Sequence, residues 1–154
     1  RIPDSFEIAR KMGLSYSFGI ANLTSAHPNS VVLEVKGKSG RTLEVQACSL
    51  GGGRIMINRL DGLDVNCSCE IPTLIVHNLD QPGHVAEVTS MLAHKSVNIA
   101  NMSLYRDKRG GSAVMVVEMD QPLPKESLEW LEHLEGIVKV TYINVTEGEE
   151  DDVL

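Results

Sequence analysis

The stretch TLIVHNLDQPGHVAEVTSMLAHKSVNIANMSLYR, Thr73 to Arg106, changes its hydrophobic period twice, and the fold hangs on those changes. IPTLIVHN is a near-continuous apolar run, the pattern of a central strand. From Pro82 the apolar positions move to helical spacing at Val85, Val88, Met91 and Leu92. VNIANMSLYRD then alternates, with Ala100, Met102 and Leu104 on one side. KRGG reads as a hairpin turn into SAVMVVEMD, where Ala113, Met115, Val117 and Met119 share a face. PLPKESLEWLEHLEG reads as a second helix, with Leu128, Leu131 and Leu134 inward and Gly136 ending it. IVKVTYINV closes the pattern, with Val138, Val140 and Tyr142 alternating against the core. The order is β-α-β-β-α-β in about 75 residues, the ferredoxin-like arrangement. Two helices then cover one face of a four-stranded antiparallel sheet and leave its other face bare.

Upstream the texture differs. PDSFEIARKMG reads as one short helix, with Asp4 or Ser5 as N-cap, Phe6, Ile8, Ala9 and Met12 on or near its inner face, and Gly13 as its stop. LSYSFGI, SVVLEVKG, RTLEVQACSL and RIMINRLDG read as short strands separated by SAHPN, GKSG and GGG. VKGKSGRTLEV is the clearest hairpin, because Gly37 and Gly40 flank a short polar tip. This half is one helix plus a mostly antiparallel sheet, too small to close a core alone.

Composition narrows the partners. The net charge of −7 owes most to TEGEEDDVL, whose five acids meet no base, so the body of the chain is close to neutral. Nucleic acid and anionic membranes select a basic face, and neither is expected as a partner. No apolar run suits a bilayer span, no signal peptide is evident, and three cysteines do not suggest a disulfide framework. The expected location is cytoplasmic. The start, without Met, suggests a piece of a longer polypeptide, and the acidic tail at 147–154 is expected to be disordered.

The turn inside the opening stretch carries the first functional expectation. Pro82 suits the first helical position, and Gly83 lets another group approach the backbone closely. Free N–H groups at a helix start, with the helix dipole behind them, favour a carboxylate or phosphate. Asn78, Asp80 and His84 cluster at that mouth. The dipole disfavours a protonated His84, which should be neutral and free to hydrogen-bond. Asp80 has two readings, a partner for an ammonium group or a helix cap. N–H donors beside an acid match a zwitterionic amino acid better than a phosphate.

With this turn, D-x-P-G, and VNI at the second strand, Thr73 to Val145 resembles the ACT domain, a regulatory module that usually pairs and often binds amino acids. The resemblance implies effector contacts from Asn78, Asp80, Gly83 and, across a domain pair, Asn98, with His84 beside them. Asp80 stands where serine-binding members often have Asn. RIPDSFEIAR, HPNSVVLEV and SLGGGRIMINRLDGLDV before it resemble the β subunit of iron–sulfur-dependent L-serine dehydratase (L-serine deaminase). The fold this implies is α+β. Residues 1–69 form part of an allosteric-substrate-binding-type α/β domain, residues 70–146 a ferredoxin-like βαββαβ ACT domain, and 147–154 the tail. The implied activity is conversion of L-serine to pyruvate and ammonia. The resemblance also implies a [4Fe–4S] cluster on a separate α chain, and this chain is expected to be inactive alone. Implied partners are that α subunit, a second copy through the ACT domain, and a small amino acid, serine first. Two alternatives remain: the regulatory C-terminal half of a D-3-phosphoglycerate dehydrogenase, which a Rossmann-type Gly motif upstream would favour, and a stand-alone amino-acid sensor.

Other residues carry paired readings. His27-Pro28-Asn29 is either a turn or, following the family, a contact at a shared active site in which His27 moves a proton. Gly51 to Arg54 is either an anion-binding nest with Arg54 as counter-charge or a tight, bulged strand connection. Cys67 and Cys69, one residue apart on an extended segment, point to one face. With Cys48 apart and no third or fourth ligand, they are expected to hold no metal. His94 suits a helix C-terminus, His133 a surface, and His77 the inside of its strand.

Overall fold

In a computed structural model that describes residues 2–24 and 26–145, the chain forms two four-stranded antiparallel sheets and three helices. The expected tail lies outside the described residues. A short 3-10 turn, Ile2–Asp4, enters α1 (Ser5–Lys11), and four strands follow as a meander: β1 (Ser30–Lys36), β2 (Thr42–Gly51), β3 (Arg54–Leu60) and β4 (Leu63–Cys67). The second unit comprises β5 (Thr73–Leu79), α2 (His84–His94), β6 (Ile99–Arg106), β7 (Ser112–Met119), α3 (Lys125–Glu132) and β8 (Ile137–Ile143). Its sheet order is β6-β7-β5-β8, which makes β5 and β7 central, as the βαββαβ reading requires.

Turn chemistry sets the registers. Gly40 donates to the Gly37 carbonyl (3.0 Å), closing the expected β1–β2 hairpin. Gly51, Gly52 and Gly53 all take positive φ between β2 and β3, with a register shift beside them, so this run is the bulged connection of the two readings. Three successive residues there need left-handed backbone, which glycine alone adopts at no steric cost. β4 was not expected. Asp61 (φ 45°) and Gly62 (φ 83°) make a two-residue loop with both residues at positive φ, and Leu60 pairs with Leu63 across it.

The core has two layers. Leu74 and Val76 of β5 and Met115, Val117 and Met119 of β7 pack under Val88, Leu92 and Leu131 of the helices. The alternate residues Ile75, Val114 and Val116 point the other way and pack against Ile57, Leu60 and Val65 of the first sheet. The sheet face expected to be bare is therefore covered by the chain itself. Sharing one wall answers the size problem of the first half, since neither sheet closes this layer alone. Polar groups pin the seam. Lys139 of β8 donates to the Thr42 carbonyl (2.6 Å) and pairs with Asp61, while Arg41 reaches Glu132 (3.3 Å).

Several expected positions differ. LSYSFGI forms no strand, and α1 buries none of its residues. Phe6, Ile8 and Met12 are exposed. Phe6, Tyr16 and Phe18 instead pack on one another, with ring centroids 5.2–5.8 Å apart. Asp4 makes no side-chain cap. Val85, Ala100, Leu104 and Val138 also face solvent. Register shifts at the start of β6 and between His77 and Asn78 rotate Ile99 and Ile137 inward to pack beside the core.

Candidate functional site

The site is built where β5 ends. Pro82 and Gly83 turn the chain into α2, with Gly83 at φ 109°, a conformation open to glycine. No side chain caps this helix start, so its first-turn N–H groups keep their donor capacity. Asp80 is occupied elsewhere. Its carboxylate accepts from the Gly110 N–H (2.9 Å) and from Arg106 Nη1 (3.2 Å), and its own N–H donates to the Gly111 carbonyl (2.9 Å). The Gly110 N–H, then Arg106, hold its carboxyl below the ordinary carboxylate range. The helix-cap reading of Asp80 does not stand, since no side chain caps α2; its carboxylate holds the β6–β7 hairpin instead.

His84 is the first residue of α2 and is buried. Its Nδ1 lies 3.1 Å from Glu87 Oε2, and its ring packs against Gly136, where an added Cβ would come within 2.6 Å of Cε1 and Nε2. The imidazole therefore does not stand free at the mouth. Burial of Nε2 leaves it without a partner among the described residues. Asn78 is buried too. Its Nδ2 donates to the Leu79 carbonyl (2.6 Å), and its Oδ1 has no partner among the described residues. A cleft of about 390 Å³ opens beside it, lined by Asp61, His77, Asn78, Asp107 and Ser112.

Asn98 lies at the other end of the sheet. Ile99 pairs with Met119, whereas Leu79 pairs with Ser112, so a full strand, roughly 20 Å, separates Asn98 from Asn78. Its Nδ2 donates to Asp120, and its N–H to Gln121 Oε1 (2.7 Å). One copy of the chain thus brings Asn78, Gly83 and His84 together and leaves Asn98 outside.

His27 and Asn29 make the turn into β1, at the outer edge of the first sheet. The Asn29 N–H donates to His27 Nδ1 (3.2 Å), and the Ser30 hydroxyl to the His27 carbonyl (2.6 Å). Arg54 starts β3, exposed, at the end of the glycine turn. His77 faces the seam, its Nε2 3.6 Å from Asp61. Burial pushes the His77 pKa down, against the pull of Asp61. Burial also raises the Asp61 carboxyl, but the Lys139 ammonium and the Glu44 N–H outweigh it and leave it low. Cys48 pairs with Met56 while Cys67 pairs with the next residue, Ile57, so their thiols lie on opposite faces of the sheet. Two thiols on one face do not make the ligand set of an iron–sulfur cluster.

Sequence reasoning missed Arg106, Gly110 and Gly136. Only the KRGG and EG turn signals marked the last two, and nothing local pointed Arg106 at Asp80.

Residues 72–135 match the family described as ACT domain. A Bacillus subtilis protein named "Probable L-serine dehydratase, beta chain" is 32% identical over 93% of this chain and 64% of its own length. The L-serine dehydratase β chain of Peptoniphilus asaccharolyticus is 30% identical over 94% of this chain and 66% of its own. The chain thus spans about two thirds of the length of these curated relatives. A D-3-phosphoglycerate dehydrogenase of Methanocaldococcus jannaschii is 31% identical, over 58% of this chain and 17% of that protein.

Proposed function

The chain is a relative of L-serine dehydratase β chains that carries an ACT domain, and on that premise we propose that it is the regulatory and assembly β subunit of such an enzyme. The observation that carries the reading is a relationship that holds at 30–32% identity through both sheets, which share one core. The dehydrogenase relationship ranks behind it: at 31% identity it covers 58% of this chain, and where it reaches 90% the identity falls to 25%.

In this reading the holoenzyme converts L-serine to pyruvate and ammonia in the cytoplasm, and the β subunit alone is inactive. The reading puts the cluster on the α chain, and it is supported by Cys48 facing away from Cys67 and Cys69, which leaves these three thiols no common ligand set. The cluster supplies Lewis-acid help to the leaving hydroxide. The β subunit binds a small amino acid, serine first, at the β5–α2 turn. Uncapped N–H groups of α2 receive the carboxylate. With Asp80 engaged, the buried Asn78 carbonyl oxygen is the acceptor left for the ammonium. Asn98 joins only from a second copy, so binding and pairing go together. His27 and Asn29 face the α chain from the first sheet, and residues 1–69 continue an allosteric-substrate-binding-type domain.

Co-expression with a candidate α chain, assayed for pyruvate from L-serine without oxygen, tests the enzyme assignment. Activity needing both chains is expected, and full activity of the α chain alone overturns it. Calorimetry with serine and sedimentation test the effector site. Binding accompanied by dimer formation is expected, and a monomer that takes up serine removes the role of Asn98.

A further inference from the structure

Cys67 ends β4 and Cys69 lies in the connection to β5, and their Sγ atoms stand 3.1 Å apart. On an extended strand two such side chains sit nearly 7 Å apart along the chain. Here Cys69 takes φ 55°, a left-handed conformation that costs a non-glycine residue free energy and folds its thiol back onto Cys67. The extended geometry expected from the sequence is replaced by a closed one. Both thiols are buried in the layer between the sheets, beside Ile75, and no group of three or more metal-ligating side chains occurs among the described residues.

We propose that Cys67 and Cys69 are a redox modification site, a dithiol that a hydroperoxide converts to an intramolecular disulfide. The Cys67 thiolate attacks the terminal peroxide oxygen. The O–O bond breaks, one oxygen stays on sulfur, and the rest leaves as an alcohol, or as water from hydrogen peroxide. Cys69 sulfur then attacks the Cys67 sulfenic sulfur, the S–O bond breaks, and water leaves with the Cys69 proton. Two electrons pass from the thiols to the peroxide. A hydrogen bond from Cys69 favours the Cys67 thiolate and, reciprocally, holds the proton on Cys69 and raises its pKa, which divides the roles of nucleophile and resolving thiol. β4 is an edge strand of only five residues, so local opening lets a small oxidant reach the pair.

The test is hydrogen peroxide added to the folded chain, followed by denaturation, alkylation and peptide mass mapping. All three cysteines are free, so untreated protein takes three labels. The expected product has lost two hydrogens in the peptide holding Cys67 and Cys69, takes a label only at Cys48, and regains the others after dithiothreitol. Cys48→Ser should give the same loss, and Cys69→Ser should leave Cys67 as a sulfenic or sulfinic acid with no loss of hydrogen. Three labels retained at a peroxide dose that oxidises a small dithiol, or oxidation that starts at Cys48, overturns the proposal.

Discussion

Gly136 shows how one missing methyl group sets the geometry of the β5 loop. Its φ of +80° disfavours any L side chain, and the His84 ring occupies the space a Cβ would need. Gly136→Ala should destabilise the chain by about 1–3 kcal/mol, the usual cost of overpacking combined with backbone strain. Urea titration measures it; a midpoint equal to the wild type would mean that the ring moves aside freely. Asp80 teaches the complementary lesson. Its type and place suggest a ligand contact, yet the partners that claim it, Arg106 and Gly110, are distant in sequence and meet it only after β6 and β7 pair.

At the scale of elements, burial separates positions that look equivalent in sequence. Leu60 is fully buried between the sheets, and Leu60→Ala should cost about 2–5 kcal/mol. Val85 sits on the helical stripe but is exposed, and Val85→Ala should stay within about 0.5 kcal/mol. Equal losses at the two positions, read as urea midpoints, would contradict the layer assignment. The βαββαβ order was legible because each of its elements is long and periodic. Ile99 and Ile137 were not, since a bulge shifts parity without leaving a local sequence mark. β4 had signals, Asp61-Gly62 and the alternation of Leu63, Val65 and Cys67, but it is only five residues long and follows RIMINRLDG directly. α1 read correctly as a helix, yet none of its residues is buried, and Phe6 packs only on the nearby rings of Tyr16 and Phe18. For the site, residue types and the turn were readable, whereas the separation of Asn98 from Asn78 follows from strand register alone.

Over the whole molecule, the shared middle layer predicts one unfolding event. Trp130, the single tryptophan, reports α3, and far-ultraviolet dichroism reports both sheets; their denaturation curves should coincide. An early dichroism transition that leaves Trp130 fluorescence unchanged would mean the sheets come apart separately. The same seam predicts acid sensitivity. The fold keeps His77 below its ordinary pKa of 6.5, so the unfolded chain binds its proton first and stability falls as pH drops below about 6.5. Asp61, held below 3.8, contributes stability that is present above that value and lost as pH falls through its lower folded pKa. His77→Gln should flatten the first decline in urea midpoint and leave the second; an unchanged profile would assign the first to another group.

β5 and β7 serve as the floor of one hydrophobic layer and the ceiling of the other. A plate gripped on both sides cannot flex for one neighbour alone. Whatever tilts these strands at the Asn78 end is therefore felt at once by the helices above and by the meander below, with no hinge between them to absorb the motion.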